Sequence, residues 1–447
     1  MYRKINSDGS IDGGPMYYLD MGLKETGRPK LGRFLGIIYA IFIIGGALGG
    51  GNMFQSNQSF ALVSNQLPFL NDFGWLYGTI LAVLVGTVII GGIKRIGKAT
   101  EKIVPLMVVI YILASLTIIF THIDRLPSVI TLIFSEAFNA SAIYGGGIGY
   151  IVQGIRRAVF SNEGGVGSAS IAHSAAKTDE PVREGIVAMI GPFIDTIVIC
   201  FMTACVILIS KEENNDYKIY QKDLEYQLIK KEMTKLNGKL EKAKYSEQVK
   251  FIENQLTDRN IELEKIETDL SLLNFRYEEK YIDTNMNDSW DEGEPFKDIG
   301  NGKWDKETDK AEGAILTSSA FESVLTWFPA ILTIVVFLFS YSTMISWYYY
   351  GDKSWTYLFG RKSIRVFQMI YLGCVVLGAI ASLGSIIDFS DMMLLSAAFP
   401  NIIGAMYLLP KLKVALNEYW KKYLNKEFKT YKTSFMKDLV TFKKKDN

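Results

Sequence analysis

The chain has 447 residues, 49% hydrophobic and 21% charged, with a formal net charge of +1. The charge is unevenly spread: residues 211–312 hold 18 basic and 26 acidic side chains, which leaves the remainder apolar with a basic surplus. A soluble protein built on one core does not divide its charge this way. Cys200, Cys205 and Cys374 all stand in apolar runs, which excludes a disulfide scaffold, and two histidines without paired cysteines argue against a Cys/His zinc site. Basic residues confined to short loops give no support to nucleic-acid binding.

In chain order, Met1–Asp12 is polar and lacks the hydrophobic core of a cleavable signal. A membrane span needs about 20 mostly apolar residues. Eight segments meet that need: 34–62, 75–93, 103–121, 128–154, 186–209, 315–346, 366–386 and 390–410. The fourth is interrupted by Ser135, Glu136, Asn139 and a glycine cluster. Lysine and arginine number six in 1–33, none in 63–74, four in 94–102, one in 121–127, four in 155–185, four in 347–365, none in 387–389 and eleven in 411–447. Positive loops face the cytoplasm, so this alternation predicts both termini inside and the long 211–312 block outside, with membrane lipid around the spans.

Polar groups inside the apolar segments are candidates for function, because hydrocarbon tolerates them only against a partner, a cavity or an ion. Asn52 and Gln55 follow the glycines 49–51 in the first segment. Small-residue helix packing is the plain alternative there. Asp195 and Thr196 lie in GPFIDTIVIC. Gly145, Gly146, Gly147 and Gly149 weaken a helix and predict an unwound stretch. It leads into SNEGG, where Asn162 and Glu163 offer oxygens and Gly164 and Gly165 permit close backbone approach. That segment lacks the Lys-Ser/Thr ending of a nucleotide loop.

In 211–312, apolar residues at 229, 233, 236, 240 and 243, then at 249, 252, 256, 263, 266, 270, 273 and 277, follow heptad spacing. They predict an antiparallel coiled-coil hairpin of two helices, ~40 and ~50 Å long, turning near 244–248, with Asn237–Gly238 a rival turn. A single solvated helix is the plain alternative. Beyond it, Asp283, Asn285, Asn287, Asp291 and Glu294 occupy positions 1, 3, 5, 9 and 12 of a calcium loop, although Asp288 replaces the glycine of position 6. A plain acidic turn is the alternative to calcium there.

GGPMYYLDMGL (13–23), GGGNMFQSNQS (49–59), GIRRAVFSNEGGVGSASIAHSAAKTDEPVREG (154–185), GPFIDTIVICFMTA (191–204), FSYSTMISWYYYGDKSWTYLFG (339–360) and FPNIIGAMYLLP (399–410) occur in order. Together they resemble the alanine/glycine:cation symporter family, also called sodium:alanine symporters. The resemblance implies an all-α polytopic membrane protein of the inverted-repeat, leucine-transporter type, with two broken helices. It implies sodium-coupled uptake of alanine or glycine across the plasma membrane, and no enzyme chemistry. Ser342 and Thr343 in FSYSTM stand where that fold offers hydroxyls to sodium; back-bonding to their own helix is the plain alternative.

The family normally carries two further helices before its GGPMYY loop, which here begins at Gly13. The expectation is an amino-terminally truncated symporter that does not accumulate alanine by itself. It divides into a first transporter part (1–210), the outer arm (211–312), a second part (313–410) and a basic cytoplasmic tail (411–447). The alternative is a non-transporting membrane scaffold that presents the arm to an extracellular protein partner.

Overall fold

A computed structural model describes residues 1–6, 11–137, 147–211, 214–241, 246–273 and 313–428. Apart from the two-residue strands β1 (Lys4–Ile5) and β2 (Ile11–Asp12), its regular structure is helical. The helices that matter here are α1 (Pro15–Glu25), α2 (Pro29–Leu48), α3 (Phe54–Gln66), α4 (Gly74–Ile89), α5 (Gly92–Thr121), α6 (Leu126–Ala137), α7 (Gly147–Asn162), α8 (Pro181–Ala188), α9 (Phe201–Ile209), α10 (Asn215–Leu240), α11 (Ser246–Leu272), α12 (Ala314–Glu322), α13 (Phe328–Phe359), α14 (Ile364–Ile380) and α15 (Leu383–Leu424).

Among the described residues, seven helical stretches are long and apolar enough to cross a membrane, not eight. The fourth predicted span, 128–154, lies partly outside the described residues: α6 covers its first part with 12 residues, about 18 Å of helix, and α7 opens at Gly147. The predicted sixth span, 315–346, is redrawn. A break at Ser323–Trp327 separates α12 from α13, which runs on through 32 residues to Phe359. The chain is therefore an all-α, multi-pass membrane protein.

Two cores are built on α13. One joins it to α1, α2, α4, α14 and α15 through Met16, Tyr39, Ile43, Phe367 and Tyr371. The other joins its first half to α5, α9 and α12 through Tyr111, Ile118, Val206, Phe321 and Phe328. Phe34, Val83, Leu113, Met189 and Met406 are exposed apolar groups, as a lipid-facing surface requires.

The GGP motif anchors the start of the chain. Gly14 adopts φ +120, and Pro15 opens α1, where a missing N–H costs nothing. A β-carbon on Gly13 would lie 2.4 Å from that of Ser174, so only glycine lets the strand reach the loop ahead of α8. Arg3 fastens the same contact by donating to the carbonyls of Ala176 (2.6 Å), Ser174 and Thr178 (both 3.3 Å).

Within 211–312, α10 and α11 lie side by side and antiparallel, while the predicted turn near 244–248 falls partly outside the described residues. Lys222 meets Asp269 at 2.9 Å, Tyr226 donates to Glu267 at 2.9 Å, and Arg259 meets Glu232 at 3.3 Å. Asn237–Gly238 lies within α10 and is not the turn. Ile266 and Leu270 point inward while Phe251 and Ile261 are exposed, as the heptad positions require. The facing ion pairs are solvated and contribute little. Ile266, 2% exposed, carries more: Ile266→Asp is expected to open the pair. Limited proteolysis should then cut 215–272 much faster, while cutting elsewhere is unchanged.

Candidate functional site

The site region begins at a π-helical turn, Gly49–Met53, between α2 and α3. Such a turn widens the helix by one residue and marks functional positions in many proteins. Here glycine permits it. A β-carbon on Gly51 would sit 2.3 Å from the Trp347 ring, and one on Gly49 would sit 2.7 Å from Ser390 Oγ. Gln55 donates to the Gly50 carbonyl at 3.1 Å, satisfying an oxygen within the turn. Asn52 is fully buried and donates to the Tyr371 carbonyl at 2.7 Å, while its Oδ1 has no partner. Ser56 donates to Val375 O at 2.7 Å, and Asn57 to Ala381 O at 2.9 Å and Gly378 O at 3.2 Å. These side chains tie α3 to α14.

Opposite this turn stands the end of α7. Phe160 packs edge-on against Phe54, with ring centres 5.5 Å apart. Ser161 donates to Asp195 Oδ2 at 2.6 Å, and Thr196 donates to Asn162 Oδ1 at 2.6 Å. Asp195 and Thr196 lie in a second π-helical stretch, Phe193–Cys200, inside a membrane-length segment. Glu163 then takes φ +54, unusual for a residue with a β-carbon, and its carboxylate accepts from the buried Ser168 hydroxyl. Gly165 and Gly167 continue the left-handed path at φ +78 and +80. Asn401 of α15 holds this loop by donating to the Gly165 carbonyl at 2.6 Å, and itself accepts from Tyr18.

The predicted residues thus separate. Asn162, Glu163, Asp195 and Thr196 form one polar cluster, with Gly164 and Gly165 beside it. Asn52 lies in the facing turn and Gln55 in the first turn of α3, and the amide of each donates to a backbone carbonyl. Ser342 donates to Phe339 O at 2.9 Å within α13, the back-bonding alternative, with Thr343 half-buried beside it. Gly147 is the first residue of α7. Gly145, Gly146 and the calcium-loop positions Asp283, Asn285, Asn287, Asp291 and Glu294 lie outside the described residues.

Two features escaped the sequence reading. Arg156 (2.7 Å) and Arg157, both on α7, meet the carboxylate of Asp391 on α15, which is 2% exposed. A carboxylate inside a mostly apolar run is the signal that marked it. The second is a cavity of about 670 Å³ between the N-terminal strands, α8 and α15, lined by Tyr18, Ser170, His173, Glu184 and Leu408. His173 Nδ1 lies 2.7 Å from Glu184 there.

The family model described as the sodium:alanine symporter family matches residues 1–242 and 299–433. This chain belongs to that family. The sodium:alanine symporters are transporters, not enzymes, and the match leaves out 243–298, which holds α11 and the acidic stretch after it. The sodium/alanine symporter AgcS of Methanococcus maripaludis is 34% identical over 411 residues, 91% of this chain and 69% of its own length. The probable sodium/glutamine symporter GlnT of Bacillus subtilis is 28% identical over 425 residues, 94% of this chain and 67% of its own. The putative sodium/proton-dependent alanine carrier protein YrbD of Bacillus subtilis is 37% identical over 209 residues, 46% of this chain and 40% of its own. All three names pair a cation with an amino acid, alanine or glutamine, and two of them say symporter.

Proposed function

We propose that this chain forms the transport core of a sodium-driven symporter for a small neutral amino acid, alanine or glycine, in the plasma membrane. The observation that carries this reading is the polar cluster at the end of α7. Hydrogen-bonded carboxylate, amide and hydroxyl groups meet two irregular helices at membrane depth, where such groups are retained for a ligand. Asn162, Glu163, Asp195 and Thr196 face a zwitterion from one side; Asn52, Gln55 and the glycine turn face it from the other. Ser342 directs its proton to Phe339 and so keeps its lone pairs for sodium, with Thr343 the second hydroxyl. Alternating access in an inverted-repeat fold opens this midplane site to each side in turn, and the cavity beside His173 is its inner mouth. Both termini are cytoplasmic and the α10–α11 pair is outside.

The test is equilibrium binding of radiolabelled alanine to the full chain in lipid nanodiscs, in sodium and in potassium. Binding is expected only in sodium. Ser342→Ala with Thr343→Ala is expected to raise the sodium concentration required at least tenfold. Equal binding in potassium would refute the coupling, and no binding in either would refute the site. A second reading has one observation in its favour: the family match omits 243–298, which holds the second helix of the pair, and docking of an extracellular protein partner suits that helix.

A further inference from the structure

The ion pairing between α7 and α15 is lopsided. Two guanidinium groups, Arg156 and Arg157, converge on one oxygen, Asp391 Oδ2. The other oxygen, Oδ1, is buried without a hydrogen-bond partner, and so is Nε of Arg157. Arginine and carboxylate normally join through two parallel bonds. Here Arg157 has made one, leaving a buried donor and a buried acceptor unused, which is costly away from water.

What lies next to Arg157 on the same helix gives its unused donor a use. Residues four apart share a face, about 6 Å along the axis. Four residues on from Arg157 is Ser161, hydrogen-bonded to Asp195 at 2.6 Å. A positive group and a negative group therefore stand one turn apart on one face of α7. The Arg157 guanidinium lies 5.3 Å over the Phe160 ring, and Phe160 packs on Phe54 at the π-helical turn. The positive end thus borders the polar cluster and has an aromatic floor. A neutral amino acid carries its ammonium and carboxylate on one carbon and matches that polarity.

Given the transport reading above, we propose that Arg157 binds the α-carboxylate of the transported amino acid, with Asp391 as its resting counter-ion and Asp195 facing the ammonium. The pair of arginines then has a reason. Arg156 keeps Asp391 compensated when Arg157 turns to the substrate, so the exchange strands no buried charge.

The test compares alanine with alaninamide, which keeps the ammonium and lacks the carboxylate, by equilibrium binding to the full chain in nanodiscs with sodium. Arg157→Gln is expected to weaken alanine about tenfold or more, as loss of a charge-assisted bond does, and alaninamide less than about twofold. Arg157→Lys keeps the charge but loses the fork, and should cost alanine several-fold. Arg156→Gln also takes an arginine from Asp391, yet should leave the alanine-to-alaninamide ratio at its wild-type value. Arg157→Gln weakening both ligands equally, or neither, overturns the assignment, as does Arg156→Gln shifting the ratio as far. Wild-type chain that binds no alanine overturns the transport reading instead, and the assignment with it.

Discussion

Asp12→Ala is expected to lower stability by about 3–5 kcal/mol, the cost of removing one partner of a buried ion pair. Asp12 is 5% exposed and Lys353, on α13, is 7% exposed. They meet at 2.7 Å. Asn6 donates to the second oxygen at 2.7 Å, and Arg361 approaches both oxygens at 3.3 and 3.4 Å. Removing the carboxylate leaves the Lys353 ammonium buried with the Tyr349 ring, 5.3 Å away, a much weaker substitute. The double variant Asp12→Leu with Lys353→Met should recover most of the loss, because the unpaired charge, not the absent bridge, is the main cost. Thermal unfolding of the detergent-solubilised chain measures both. A single variant as stable as wild type would show that the strand carrying Asp12 does not hold α13.

The same pair predicts a pH dependence. Burial pushes the Asp12 carboxyl up, but hydrogen bonds from Lys353 and Asn6 and the charges of Lys353 and Arg361 outweigh it and hold the group below its ordinary value. A carboxylate depressed in the folded state contributes stability above its unfolded pKa, about 3.9, and loses it as pH falls through the lower folded value. The advantage of wild type over Asp12→Asn is therefore expected to be constant from neutral pH down to about pH 5, and to vanish only in the acid range below 4. An advantage that disappears near neutrality would contradict the direction of the shift.

What the sequence revealed and what it hid follow from the range of the interactions. The α10–α11 pair was legible because its pattern is local: Ile252, Leu256, Leu263 and Ile266 keep one face, while Phe251 and Ile261 fall on the other. The membrane segments were legible from run length, seven of the eight as membrane-length helices, while 128–154 runs beyond the described residues. The SNEGG loop was visible because glycine and polar residues are anomalous in such surroundings. Its partners were only half visible. Asp195 and Thr196 stood out as polar groups in an apolar run, but nothing local ties Arg157 to Asp391, 234 residues away, or Asp12 to Lys353, 341 residues away. Those pairings exist only once the helices are packed. Asn52 shows the same limit: its polarity was conspicuous, but the carbonyl on α14 that its amide donates to is 319 residues distant.

That engagement leads to the second large effect, expected from a single methyl group. A β-carbon on Gly378 of α14 would stand 2.5 Å from the Met53 carbonyl oxygen and 2.6 Å from its Cα. Both are backbone atoms, at the end of the π-helical turn, and cannot rotate aside as a side chain would. Gly378→Ala must therefore push α14 away from α3. Overpacking of this kind costs about 1–3 kcal/mol. The displacement also stretches the bonds from Asn52 to Tyr371 O and from Ser56 to Val375 O, both 2.7 Å, each worth about 0.5–1.5 kcal/mol. The sum is several kcal/mol. Gly373, on the same helix, provides the control, since nothing lies within 4 Å of a β-carbon there. Gly373→Ala should be neutral or stabilise by up to about 1 kcal/mol through helix propensity. Unfolding midpoints of the two variants should thus move in opposite directions or differ widely. Equal midpoints would mean that α14 is not in backbone contact with the chain at Met53.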